Sequence, residues 1–371
     1  MHVTFLLPGD PATRTGGYAY DRAIAAGLRA AGWVVDQPPL PDAFPWPDDA
    51  ARAAAARQVE ALADGTLVVA DGLALGALPE LAERHADRLR WVALVHHPLA
   101  LESGLDEAQR QALFDSERRA LACARIVIVT SQATSRALAA YGVPAARVRV
   151  VLPGTAPVAP SAGLSVGASL AESVAGSVAG SVAGSARPMN EAPMLLCVAT
   201  LTPRKGHALL VEALAELRDR PWTLHCAGST TRDPATAAAV RHQIDALGLA
   251  DRVVLHGELP DADLDALYRQ SDAAVLATSF EGYGMALAEA MAHGLPIVST
   301  TAGAIPDLVP PCAGLLVQPD DVPALRRTIA ALLDDAALRA RLATGARAAA
   351  RTLPSWPQSV AAFAAALGSV R

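Results

Sequence analysis

Ser279-Phe280-Glu281-Gly282-Tyr283-Gly284-Met285-Ala286-Leu287-Ala288-Glu289-Ala290 follows the short apolar run Ala273 to Ala277 and opens an Ala/Leu/Met-rich stretch. A strand, a two-glycine turn and a helix are written in seventeen or so consecutive positions, on the order of one βα unit. The same rhythm repeats outward. After it come Pro296 to Ser299 and Gly314 to Val317; before it come Met194 to Ala199, Thr223 to Ala227 and Arg252 to His256. An earlier set reads the same way: Val3 to Leu7, Trp33 to Val35, Thr66 to Ala70, Trp91 to Val95, Arg125 to Thr130 and Arg147 to Leu152. Strands alternating with Ala/Leu-rich helices predict parallel sheets covered on both faces. The expected fold class is α/β, with two doubly wound domains in tandem.

The 371-residue length agrees with two domains, each with its own core. Four spans are expected: residues 1–152, a flexible linker over 153–193, a second domain over 194–353, and a helix within 354–371 that packs back across the junction. The linker reading rests on Ser173-Val174-Ala175-Gly176 and its two following repeats. Side chains that small bury too little apolar area to offset ordering entropy. In the tail, Trp356 and the run Val360 to Leu367 supply the apolar helical face.

Formal net charge is −6, which leaves no excess of Lys and Arg to neutralise nucleic acid or an anionic bilayer. No nucleic-acid partner is expected, and at most peripheral membrane contact. Mean hydropathy is +0.28, but no apolar run reaches the ~18 residues of a spanning helix. The start reads as a first strand broken by Pro8-Gly9, not as a leader. The four cysteines are widely spaced and lack paired ligand spacing. A cytoplasmic location and no metal are the expectations.

In doubly wound sheets ligands bind beyond the carboxyl ends of the strands, so the loops carry the chemistry. In the opening stretch, Gly282 and Gly284 let backbone N–H groups approach a ligand, and the following helix N-terminus favours an anion such as a diphosphate. A glutamate near a helix start is ordinarily a solvated one. Glu289, however, is flanked by Ala286, Leu287, Ala288, Ala290 and Met291, where an unpaired carboxylate is costly. Glu281 and Glu289 are thus read as reaching different parts of one extended ligand.

Thr202-Pro203-Arg204-Lys205-Gly206 follows the first strand of the second domain. Cations at a helix N-terminus oppose the macrodipole unless an anion compensates, so Arg204 and Lys205 are read as an anion clamp. In the first domain, His96-His97-Pro98 follows Val95, placing a histidine at a strand's carboxyl end. Metal binding there is disfavoured, since adjacent residues of an extended chain point to opposite faces. Gly16-Gly17 in the first loop offers free N–H groups but does not match the dinucleotide fingerprint.

Together these loops resemble the retaining glycosyltransferases of GT-B fold, family-4 type (glycosyl transferases group 1), built from two Rossmann-like domains with a cleft between them. The resemblance spans nearly the whole chain. Its residues are Gly16-Gly17, His96 before Pro98, Pro203 to Gly206, the Glu281 to Glu289 run, and Leu315-Leu316-Val317-Gln318-Pro319. It implies that 1–152 is the acceptor side and 194–353 the nucleotide-sugar donor side. It further implies that Lys205 holds the diphosphate, and that backbone around Gly282-Tyr283-Gly284-Met285 contacts phosphate and sugar. Glu281 would bind sugar hydroxyls, Glu289 the ribose, and His96 the sugar during transfer. Base contacts are expected near Glu258 and Leu259.

One departure stands out: where the family commonly has Gly-Arg, this chain has Ala199-Thr200, with Arg204 a candidate replacement. The implied reaction moves a sugar from a nucleotide diphosphate sugar to an acceptor with retained anomeric configuration, without cofactor or metal. The acceptor is open: a saccharide, a lipid-linked group or a small molecule. The alternatives are a nucleotide-sugar epimerase and a non-catalytic nucleotide-sugar-binding subunit.

Overall fold

Proline placement accompanies a difference in strand order between the two sheets of the molecule. The structure, a computed structural model, describes residues 1–102, 104–158 and 192–370, and the repeats of the expected linker lie outside them. The first sheet contains β1 (His2–Leu6), β2 (Val34–Asp36), β3 (Leu67–Asp71), β4 (Arg90–Val95), β5 (Ile126–Val129) and β6 (Val148–Val150), in the order β2-β1-β3-β4-β5-β6. The second contains β7 (Met194–Val198), β8 (Thr223–Ala227), β9 (Val253–Gly257), β10 (Ala273–Leu276), β11 (Ile297–Thr300) and β12 (Gly314–Val317), in the order β12-β11-β10-β7-β8-β9. Every pairing is parallel.

The second sheet carries three strands on each side of its reversal, between β7 and β10. The first carries two on one side and four on the other, reversing between β1 and β3. After β2 the chain runs through Pro38, Pro39, Pro41, Pro45 and Pro47. Proline lacks the N–H that a ladder needs, so this stretch contributes only a single bridge from Leu40 to Pro8.

Both faces of each sheet are covered, which is why the strands read as unbroken apolar runs. Val68, Val69, Val92, Ala93, Leu195 and Leu196 are wholly buried. The last helix, Trp356–Gly368, lies on the first one, Gly16–Ala30. Its Val360, Phe363 and Leu367, spaced along one face, join Val3, Phe5, Ile24 and Leu28 in the first-half core. Phe363 stacks at 6.0 Å on Phe5; its burial is worth roughly 1.5–3 kcal/mol. Gly27 makes the approach possible, since a Cβ there would stand 2.3 Å from Val360. Among the described residues, no helix is long and apolar enough to cross a membrane.

Candidate functional site

The carboxyl ends of the two sheets face each other across a cleft of about 790 Å3, a volume typical of small-ligand sites. The structure places all of Gly16, Gly17, His96, Arg204, Lys205, Leu259, Glu281, Gly282, Tyr283, Gly284, Met285 and Glu289 in its lining.

On the first-half wall, His96 stands at the end of β4 between two buried acids. Its Nε2 is 3.1 Å from Asp21 Oδ1 and 3.4 Å from Asp71 Oδ2. Asp21 comes from helix Gly16–Ala30 and Asp71 ends β3. Burial works against the His96 charge, but the Asp21 and Asp71 charges and hydrogen bonds outweigh it and raise the imidazole to about 10. His96 is therefore an imidazolium at neutral pH, with Nε2–H donating inward. Tyr20 meets the ring edge-on at 5.4 Å, and Gly17 lies so close that a Cβ would be 3.4 Å from His96 Cδ2.

On the second-half wall the β7 and β10 loops are stitched into one construction. The Arg204 carbonyl accepts from Ser279 N at 2.8 Å and from Thr278 Oγ1 at 3.0 Å. Gly206 has φ +69°, and a Cβ there would stand 1.9 Å from the Ala277 carbonyl, so only glycine fits. Lys205 Nζ thereby reaches Glu281 Oε1 at 2.5 Å. Burial disfavours the Glu281 carboxylate, yet Lys205 and then Arg204 hold its pKa below the ordinary value. Gly284, at φ +98°, turns the chain into helix Met285–Ala292, whose side-chain cap is absent. The hydroxyl of Tyr283 is buried without a hydrogen-bond partner among the described residues. Glu289 Oε2 accepts from Tyr268 Oη at 3.1 Å, and burial raises its pKa.

The walls touch. A Cβ on Gly282 would lie 2.3 Å from the His96 carbonyl. Arg204 Nε donates to Glu102 of the first half at 3.0 Å and Nη1 to the Phe280 carbonyl at 2.7 Å. His97 pairs with Glu102 at 3.0 Å and sits 5.8 Å from the Phe280 ring. Arg14 reaches the other way, to Asp261 at 2.8 Å and to the Leu259 carbonyl at 2.7 Å. Arg204 thus joins the halves while lining the cleft, and the Leu259 carbonyl is engaged from the first half.

Sequence reasoning misses Asp21, Asp71, Glu102, Tyr268 and Arg14. A signal existed for Asp21, an acid sharing the buried helix face of Tyr20, Ile24, Ala25 and Leu28, and for Asp71, an acid at the end of an apolar strand. Two groups of described residues bring three possible metal-ligand atoms within 4.8 Å: Asp21, Asp71 and His96, and Cys197, His207 and Cys226. The second group lies below the Lys205 loop, where Cys197 and Cys226 are register neighbours on β7 and β8. Sequence spacing gives no sign of this, because the pairing runs across strands.

Two parallel sheets meeting over such a cleft define the GT-B class of architecture. Solved structures carry the same fold: sucrose-phosphate synthase from Thermosynechococcus elongatus has a TM-score of 0.77 at 23% identity, over 98% of this chain and 97% of that one. HepE from Anabaena, in complex with UDP and glucose, has a TM-score of 0.75 at 19% identity over 100% of both chains. Residues 185–349 match the family described as Glycosyl transferases group 1, and residues 2–157 match Glycosyltransferase Family 4. The chain belongs to the group 1 glycosyltransferases of GT-B fold. It is 33% identical over 176 residues to a D-inositol 3-phosphate glycosyltransferase of Xylanimonas cellulosilytica, covering 47% of this chain and 41% of that protein. It is 36% identical over 164 residues to the MMP alpha-(1->4)-mannosyltransferase of Mycolicibacterium hassiacum, covering 43% and 38%. The chain thus spans about two fifths of the length of these curated relatives.

Proposed function

We propose that the protein transfers a hexosyl group from a nucleotide diphosphate sugar to an acceptor, with retention at the anomeric carbon. The observation that carries this reading is the meeting of Lys205, Glu281 and His96, from opposite sheets, on one cleft. As the anomeric bond breaks, negative charge grows on the departing diphosphate. The Lys205 ammonium and the uncapped N–H groups of helix Met285–Ala292 stand ready to stabilise it.

Glu281 serves twice: it holds Lys205 in place and offers its second oxygen to sugar hydroxyls. Glu289, braced by Tyr268, takes the ribose. His96, kept protonated by Asp21 and Asp71 at Nε2, donates its remaining Nδ1–H to the sugar and steadies charge rather than removing a proton. The acceptor enters from the first-half wall beside Gly16 and Gly17 and attacks on the face the diphosphate leaves: its oxygen bonds to the anomeric carbon as the bond to the diphosphate oxygen breaks, and its hydroxyl proton passes to that departing oxygen. Lys205, the helix N–H groups and His96 supply the electrostatics of this route. The name of one relative, a mannosyltransferase, supports hexosyl transfer, and that of the other supports glycosyl transfer. HepE, which holds UDP and glucose, supports a nucleotide-sugar donor.

The test is a donor screen. UDP-, GDP- and ADP-hexoses are incubated with the protein, released nucleoside diphosphate is measured, and the anomeric configuration of any product is read by NMR. Thermal stabilisation and slow hydrolysis with one base are expected; silence with all three overturns the reading.

A further inference from the structure

The cleft has a charge imbalance that points to one residue. Its lining carries five Arg and Lys side chains against seven Asp and Glu, an unwelcoming balance for a phosphate-bearing ligand. Four of those cations already hold a protein carboxylate or carbonyl, although each keeps N–H donors beyond those contacts. Lys205 is held by Glu281, Arg204 by Glu102 and the Phe280 carbonyl, and Arg14 by Asp261. Arg22 Nη1 donates to the carbonyls of Pro11 and Thr13, at 2.6 and 2.7 Å. Arg232 lines the cleft, is exposed, and has no hydrogen bond or ion pair among the described residues.

Backbone contacts fix where it stands. Gly228 follows β8 at φ +150°, and a Cβ there would lie 2.0 Å from the Ala199 carbonyl and 2.8 Å from Thr200 N. Leu201 N donates to the Ser229 carbonyl at 2.9 Å. The 228–232 loop is therefore laid against 199–201, directly before the Lys205 loop, and uncharged Thr200 shares the lining with Arg232. From the opposite half, Tyr18 feels the guanidinium: burial pushes its hydroxyl up to about 12, and the Arg232 charge opposes that rise.

Resting on the donor-site reading above, we propose that Arg232 is a further phosphate receptor of this cleft beside Lys205, binding a substrate phosphate through its planar fork of N–H donors. The phosphate has two possible sources, the donor's diphosphate or a phosphate ester on the acceptor.

Calorimetric titration of the wild-type protein, Arg232→Ala and Arg232→Lys separates them. The probes are UDP and GDP against uridine and guanosine, and glucose 6-phosphate against glucose with UDP present. If the donor is read, Arg232→Ala weakens the diphosphate that binds by about 10- to 100-fold and leaves its nucleoside unchanged, while Arg232→Lys recovers part of the loss. If the acceptor is read, diphosphate affinity is unchanged and glucose 6-phosphate loses its advantage over glucose. Affinities unaltered in both arms overturn the proposal and leave Arg232 a solvated surface side chain. A wild-type protein that binds no nucleoside diphosphate defeats the donor-site reading itself, an outcome visible before any variant is made.

Discussion

The two halves share a plan and arm it differently. At the reversal point of the second sheet stand Lys205, Gly206, Gly282 and Gly284, a cation and three backbone openings, within two short loops that hydrogen-bond to each other. At the first sheet stand His96 and two buried acids drawn from a helix, the end of β3 and the end of β4. One wall sets a paired ammonium beside open N–H groups; the other cages a positive charge between two negative ones. Chemistry that is compact in sequence leaves a motif, whereas chemistry gathered from positions 21, 71 and 96 leaves none.

The sharpest way to break this contrast is on the second wall. Lys205→Ala should lower turnover by about 10²- to 10³-fold, as removal of one transition-state donor does elsewhere. It also leaves the Glu281 carboxylate, which is only 9% exposed, with Arg204 at 3.9 Å as its remaining cation, so melting temperature should fall too. Adding Glu281→Gln should recover the melting temperature and leave turnover low. Recovery of turnover in the double variant would reassign Lys205 to a structural role.

The seam between the walls comes next. Gly282→Ala places a methyl group against the His96 carbonyl, and turnover should drop by about 10- to 100-fold through misplacement alone. Small-angle scattering should report a wider particle while circular dichroism stays that of the wild type. An unchanged scattering curve would sink the idea that this contact sets the spacing.

A subtler effect is expected on the first wall. Asp21→Asn should bring His96 down from about 10 toward its ordinary 6.5, read by histidine NMR. The sign for stability follows from proton counting. Folded His96 keeps its proton up to about 10 and the unfolded chain releases it near 6.5, so the contribution is complete below pH 6.5 and lost as pH rises to about 10. Denaturant midpoints of the wild type should decline over that window, and Asp21→Asn should flatten the decline.

The smallest effect belongs to the outer bridge. Asp261 is almost fully exposed, at 96%, so Asp261→Asn should cost at most about 1 kcal/mol and leave turnover within about twofold. A larger loss would promote the Arg14 link to a determinant of closure.

Much of the fold was legible because both sheets are buried and their strands are apolar without interruption. The proline run from Pro38 to Pro47 was equally legible, and it follows β2, on the side of the first sheet that carries two strands. For the site, the argument that singled out Glu289, a carboxylate on an apolar helix face, applies unchanged to Asp21. It applies as well to Glu117, which lies with Leu113, Ala120 and Leu121. Burial pushes Glu117 up to about 8, and its Oε2 accepts the Leu99 N–H at 2.9 Å, anchoring the loop that begins at His96. Those acids were readable by a rule already in hand. The Arg14 contact with Leu259 spans 245 residues, and no periodicity encodes a meeting of two loops from separate sheets.

Helix Trp356–Gly368 follows the second half yet packs on the first, and this bears on motion. Thr155 N donates to the Pro354 carbonyl at 2.8 Å, and Gly154 lies under Trp356 so closely that a Cβ would overlap its backbone at 2.4 Å. At residues 154–155 and 354–356 the described parts of the two connections lie side by side, like the spine of a book. Covers bound at a spine open by swinging, so a rotation about this seam is the expected route by which substrate enters and product leaves, in opposite senses.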